Sequence, residues 1–186
     1  MNITLQQPIG LILLEPRRFE DERGVFMETW SRRELFKAGI AIDFVQDNQS
    51  WSRQAGTLRG LHFQAPPHAQ DKLIRCTRGK IFDVAVDIRR GSPAYGKWQG
   101  VELSPENGRQ LLVPKGFLHG FLTLEDGTEV QYKCSDYYAP ECDGAVRWDS
   151  LAIDWPLGGA PILSEKDAAA VPFSEFQSPF VWNEGT

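Results

Sequence analysis

Hydrophobic and polar residues alternate along this chain in short runs set off by turn-forming residues. The runs Gly24–Trp30, Lys72–Cys76, Lys80–Ile88, Trp98–Leu103, Arg109–Val113, Phe117–Leu124 and Thr128–Lys133 are five to nine residues long, and Gly, Pro, Asn or Asp separates most of them. That punctuation predicts β-strands of a sandwich or barrel. Between Ile81 and Ile88 the alternation is regular: Phe82, Val84, Val86 and Ile88 share one face, and Asp83, Ala85 and Asp87 share the other. One face is expected to pack in a core while the other is free to be polar. Leu58–Gln64 reads as a further short buried strand. Only two stretches look helical. Ser31 precedes Arg32–Ala38 and Gly39, with Glu34 three residues after the serine, and Ser164–Ala170 opens similarly before Pro172; both carry start and stop signals. No repeat, low-complexity tract or composition shift marks a linker, so residues 1–186 are expected to form a single, mostly-β domain.

Composition narrows the class. With 186 residues, 41% hydrophobic and 24% charged, the chain can bury one sizeable core. No apolar run approaches the roughly 20 residues that cross a bilayer, and a net charge of −5 with scattered cations offers no basic stripe for a nucleic-acid backbone. Any anionic ligand is expected to be small and locally bound; no membrane or nucleic-acid partner is expected. The amino terminus lacks a basic stretch followed by an apolar one, which argues against a secretory signal and for a cytoplasmic protein. Cys76, Cys134 and Cys142 form no CxxC pair, and their odd number argues for reduced thiols. Dinucleotide-binding GxGxxG, P-loop and GxSxG signatures are absent.

Candidate chemistry concentrates in Leu58–Gln64, where one of only three histidines, His62, follows Arg59 by three residues. Imidazole is the usual general base near neutral pH and guanidinium a two-pronged clamp for phosphate. Taken alone, the pair also reads as a core histidine and a surface charge. A spacing of three puts the two side chains on opposite faces of a regular strand, so a shared cavity requires Gly60 to admit a bulge or a later strand start. Pro114–His119 matches PxGxxH, which resembles the second motif of cupin jelly rolls. The HxH of metal-binding cupins is missing, and a three-ligand site would have to draw on His62, His119 and His68; no metal is expected.

Taken together, Asp21–Gly24, Val45–Asn48, Leu58–Gln64, Gln70–Leu73, Phe82–Arg89, Pro114–Gly120, Tyr132–Lys133, Tyr137–Tyr138 and Leu163–Asp167 resemble the RmlC-type cupins of the dTDP-4-dehydrorhamnose 3,5-epimerase family, in family order from about Pro8 to Val171. The resemblance implies an all-β, cupin-type jelly-roll sandwich or barrel with a few short peripheral helices. It also implies cofactor-independent epimerisation, at C3 and C5, of a dTDP-linked 4-keto-6-deoxyhexose through an enolate, in dTDP-L-rhamnose biosynthesis. By that resemblance His62 is the base, Tyr132 the acid on the opposite face, and Asp167 the carboxylate that orients His62 and stabilises its imidazolium. Lys72 is the enolate stabiliser, and Arg23 and Arg59 clamp the diphosphate. Glu28, Gln46 and Asn48 contact the nucleotide, Tyr138 stacks on thymine, and His119, Lys166 and Asp143 make further ligand contacts. Asp143 stands where the family more often has Glu.

The resemblance further implies a homodimer, with Arg23 and Glu28 offered to a neighbouring subunit. Three alternatives stay open. They are a single-carbon epimerase or ketoisomerase on the same barrel, a noncatalytic nucleotide-sugar binding module, and a metal-dependent cupin.

Overall fold

The structure is a computed structural model that describes residues 1–6 and 10–182. Its strands are β1 (Asn2–Gln6), β2 (Leu11–Glu15), β3 (Arg18–Asp21), β4 (Gly24–Met27), β5 (Gln46–Ser52), β6 (Leu58–Gln64), β7 (Lys72–Arg78), β8 (Ile81–Asp87), β9 (Trp98–Leu103), β10 (Gln110–Val113), β11 (Phe117–Thr123), β12 (Thr128–Cys134) and β13 (Asp143–Ala145). Two short helices, α1 (Arg32–Lys37) and α2 (Glu165–Ala168), lie outside them. Six strands form one antiparallel sheet in the order β1-β2-β10-β7-β12-β5, and five form a second in the order β13-β6-β11-β8-β9. The strands β5 to β12 therefore divide into β5-β12-β7-β10 facing β6-β11-β8-β9, the order of a jelly roll.

Inside the sandwich, Leu11, Leu13, Ile74, Cys76, Ile81, Ala85, Leu103, Leu111, Phe117, Phe121 and Val130 make an apolar core. The back of the five-stranded sheet is covered as well: Leu61, Val84, Val86, Ile88 and Leu118 pack under Ile153, Trp155, Phe173, Phe176 and Phe180 of the carboxy-terminal segment. Leu35 of α1 packs on Leu14, Leu73 and Leu112 across the outer face of the six-stranded sheet.

Three features depart from the pattern reading. Asp83 and Asp87 of β8 are both fully buried, because the face expected to be polar is the inside of the sandwich and the apolar face has a cover of its own. β5 escapes the alternation rule because its inner positions Gln46, Asn48, Ser50 and Ser52 are all polar. β2 reads Leu-Ile-Leu-Leu without alternation because Leu11 and Leu13 enter the interior while Leu14 meets α1, and a strand buried on both faces loses its period.

Candidate active site

The site begins at Gly60. In β6 this residue has φ +134°, and a Cβ placed on it would lie 2.6 Å from Gly120 Cα and 2.9 Å from His119 O. Only glycine fits between β6 and β11 there. The register shows what the close approach does. His62 pairs with His119 and Arg59 with Phe121, so three steps along β6 match two along β11. This β-bulge converts an odd spacing into an even one, and Arg59 and His62 line one cavity, as the sequence reading required.

On one side of that cavity His62 Nε2 lies 2.5 Å from Asp167 Oδ1, across 105 residues of sequence. Asp167 is only 3% exposed. It is held by α2, whose Ser164 cap accepts the Asp167 N–H at 3.1 Å. The flanking chain is pinned where Leu58 N–H donates to Ile162 O and Arg147 N–H donates to Val171 O. Burial, the largest single influence on the Asp167 carboxyl, pushes its pKa up. The hydrogen bond and charge of His62, with contacts to Ser164 and the Gly60 amide, outweigh it and hold the pKa below the usual carboxylate value. An ionised carboxylate only accepts, so Nε2 carries the proton and the Nδ1 lone pair is left to act as a base.

β7 and β12 of the facing sheet contribute Lys72 and Tyr132. Burial pulls the Lys72 ammonium below the usual lysine pKa, against the opposing pull of Cys134, Asp143 and Asp83. Burial also raises the Tyr132 phenol, so it stays protonated. Beneath them, His119 Nε2 lies 2.8 Å from Asp83 Oδ1, while Asp83 Oδ2 has no hydrogen-bond partner among the described residues. Burial raises the Asp83 pKa in spite of His119. Arg59 is braced by Nε donating to Ser52 Oγ and Nη2 donating to Trp51 O, both at 3.2 Å.

Two adjoining cavities, of about 220 and 250 Å³, share His62, Lys72, Tyr132 and Lys166. The first also holds Arg59, His119 and Asp167; the second holds Gln46, Asn48, Tyr138 and Asp143. At the mouth, Lys166 ion-pairs with Asp143, whose Oδ2 also accepts the Tyr138 hydroxyl at 3.2 Å. The charge on Asp143 raises the Tyr138 phenol pKa, and its hydrogen bond raises that of Lys166. A cavity of about 320 Å³ opens on the outer face of the six-stranded sheet and shares Asn48 and Tyr132 with the site cavities. Chemistry does not converge there, because its Arg75 and Lys133 are engaged by Gln131 and Asp47.

Eleven of the thirteen site residues expected from the sequence thus line the joined cavities. Arg23 and Glu28 do not. Arg23 stands on the β3–β4 hairpin, a two-stranded sheet that pairs with no other strand among the described residues. Its side chain is 90% exposed and bound to Asp21; Glu28, just after β4, is also exposed. Sequence reasoning missed Ser50, Gln64, Gln70, Phe121 and Ser164, which line the cavities. Ser50 is the clearest omission: its Oγ is buried without a hydrogen-bond partner among the described residues, and it follows Gln46 and Asn48 at the period of two that a strand assignment would have exposed. His68 pairs with Asp136 at 3.2 Å, apart from the other two histidines, and no three His, Cys, Asp or Glu side chains cluster in a metal-holding group among the described residues. The three cysteines are free thiols.

Comparison with known proteins gives concordant matches. Residues 7–175 match the family model described as dTDP-4-dehydrorhamnose 3,5-epimerase. A protein of that description from Sinorhizobium fredii is 50% identical over 171 residues, covering 90% of this chain and 87% of the relative. A crystal structure of dTDP-6-deoxy-D-glucose-3,5-epimerase from Legionella pneumophila, in complex with dTDP-4-keto-L-rhamnose, superposes with a TM-score of 0.90 at 47% identity, covering 95% of this chain and 94% of that one. A 3'-monoepimerase from Streptomyces bikiniensis, in complex with dTDP-quinovose, superposes at 0.82 with 33% identity, covering 88% and 84%. The fold is the cupin-type β-sandwich of these enzymes.

Proposed function

The chain belongs to the dTDP-4-dehydrorhamnose 3,5-epimerase family, and we propose that His62 and Tyr132 epimerise a dTDP-linked 4-keto-6-deoxyhexose from opposite faces of the sugar. The enzyme converts dTDP-4-dehydro-6-deoxy-D-glucose to dTDP-4-dehydro-L-rhamnose, on the route to dTDP-L-rhamnose. The observation that carries the residue assignment is the His62–Asp167 pair at 2.5 Å, in a cavity that Lys72, Tyr132 and Arg59 also line.

The C4 carbonyl makes the hydrogens at C3 and C5 acidic. His62 Nδ1 removes one of them, and Asp167 stabilises the imidazolium that results. Negative charge gathers on the C4 oxygen, where the Lys72 ammonium and the His119 imidazole meet it. The Tyr132 phenol is a weak acid but a sufficient donor to an enolate carbon, and its raised pKa keeps the proton in place until needed. Arg59 takes the diphosphate, Tyr138 stacks on thymine, and Gln46, Asn48, Asp143 and Lys166 close the nucleotide end.

We place Arg23 and Glu28 in the site of a second copy of this chain, with the enzyme working as a homodimer. The β3–β4 hairpin exposes the cross-strand pair Phe26, to 71%, and Phe19, to 49%, an apolar patch that water does not favour. The cytoplasm, where sugar nucleotides are made, is the proposed location; no helix among the described residues is long and apolar enough to cross a membrane.

Incubation with dTDP-4-keto-6-deoxyglucose in D2O, followed by NMR, tests the reading. Deuterium is expected at both C3 and C5; label at one carbon alone makes the enzyme a monoepimerase. His62→Ala is expected to abolish wash-in, and wash-in at the native rate removes His62 as the base. Tyr132→Phe is expected to slow product formation while some exchange survives, and unaltered turnover removes Tyr132 as the acid.

A further inference from the structure

Tyr138 lies in a loop without regular secondary structure, and it is 59% exposed. Such a ring offers a stable stacking face only when its backbone is held. Gln64, the last residue of β6, supplies the hold from a position that is only 5% exposed. Its Oε1 accepts Ala139 N–H at 3.0 Å, and its Nε2 donates to Tyr137 O at 2.9 Å and to His68 O. From the facing sheet, Gln46 Oε1 accepts the Tyr138 N–H at 3.0 Å. The peptide groups on both sides of Tyr138 are thus gripped by two glutamines that belong to opposite walls of the sandwich.

We infer that Gln64 is a positioning residue for the nucleotide base: it holds Tyr138 over the cavity and so sets affinity for the base, not the rate of proton transfer. This rests on the nucleotide-sugar reading above. An amide suits the task as no other side chain does, because two of the three loop groups it meets are carbonyls and the third is an N–H. Glutamate at this position would turn an acceptor toward Tyr137 O and His68 O. Methionine, of similar length, would leave all three backbone groups without their partner.

Gln64→Glu and Gln64→Met enzymes, alone and combined with Tyr138→Ala, test the inference with dTMP and inorganic pyrophosphate as competing inhibitors. Loss of the two hydrogen bonds (Glu) or three (Met) that order the loop corresponds to about tenfold or more in affinity. The expected result is a rise of about that size in KM for the dTDP-sugar and in Ki for dTMP, with kcat and the Ki for pyrophosphate near native. In the Tyr138→Ala background, the Gln64 changes are expected to add nothing further. KM and Ki do not depend on the fraction of enzyme that folds, so they report positioning even where a variant is less stable.

The inference is overturned if kcat falls while KM and the dTMP Ki stay native, which would place the effect on His62 along β6. It is equally overturned if the Gln64 and Tyr138 losses multiply. Wild-type enzyme that dTMP and dTDP both fail to inhibit would instead overturn the nucleotide reading.

Discussion

A Gly60→Ala exchange tests whether the close approach of β6 to β11 brings Arg59 and His62 together. The added Cβ would sit 2.6 Å from Gly120 Cα and 2.9 Å from His119 O. Both are backbone atoms, so no rotamer change relieves the overlap and the strands must part. Holding an L-residue at φ +134° costs about 1–3 kcal/mol, and forcing an extra carbon into a packed interior costs about 1–3 kcal/mol more. In a protein of this size each kcal/mol lowers Tm by about 2–4 °C, so the total of about 2–6 kcal/mol corresponds to a fall of about 4–24 °C. Gly56→Ala is the control, because Gly56 has φ +78° with nothing within 4 Å of its would-be Cβ. It should show the backbone penalty alone, about 1–2 kcal/mol. Calorimetry of both variants isolates the clash. Well below both melting points, kcat/KM of Gly60→Ala should fall by about 10²-fold, the effect of misplacing a reacting group by an ångström. If Gly60→Ala melts with Gly56→Ala and keeps native kcat/KM, the bulge is not what aligns the site.

Three further predictions concern charge. Asp167→Asn removes a charge-assisted hydrogen bond worth about 1.5–3 kcal/mol, so deuterium wash-in should slow by about 10–150-fold; a loss under threefold would detach Asp167 from the base. Lys72→Met keeps the stem but not the ammonium and should lower kcat by about 10²–10³-fold. Because burial lowers the Lys72 pKa, native activity should decline on the alkaline side before the ordinary lysine value of about 10.4, and a Met variant with the same alkaline limb would assign that limb to another group. Asp83→Asn should gain stability relative to the native protein as pH rises. Burial raises the folded pKa of Asp83, so its contribution is intact below the unfolded value of about 3.9 and is lost as pH climbs toward the folded one. Denaturant melts from pH 4 upward should show that gap widening while kcat falls with the His119 anchor, and a gap independent of pH would refute the linkage.

Where the chain obeys the alternation rule, its strands were legible: Trp98–Leu103 coincides with β9, and the bounds read for β8, β10, β11 and β12 fall within a residue or two of those observed. β2 loses its period by burial on both faces, but the misses at the site share another cause. Pattern reading takes polar positions as outside positions, and a strand that lines a buried site turns polar groups inward. β5 was passed over for that reason, and Ser50 with it. The Asp83 face reads only as free to be polar, and the alternation does not show that it is the buried inner face where His119 meets Asp83. Other parts of the site are absent from any local pattern. Nothing in the spacing of His62 and Asp167 announces that a strap pinned at Ile162 and Val171 lays one against the other, and resemblance alone had paired them.

Gly60 stands between these cases, since the parity conflict of Arg59 and His62 was visible in the sequence and named the residue that had to resolve it. A break in alternation beside a candidate base is therefore not noise in a strand assignment. It is the trace left when a sheet gives up regular pairing to bring two side chains to one cavity. The same logic reads the β3–β4 hairpin. Phe19 and Phe26 contact each other, and Arg17 lies over Phe19, yet both rings keep much of their surface in water; the proposed seat of Arg23 in a second copy's cavity would cover them. An Arg23 variant mixed with a His62 variant should recover activity through heterodimers carrying one intact site, and exchanged heterodimers without recovery would return Arg23 to the surface.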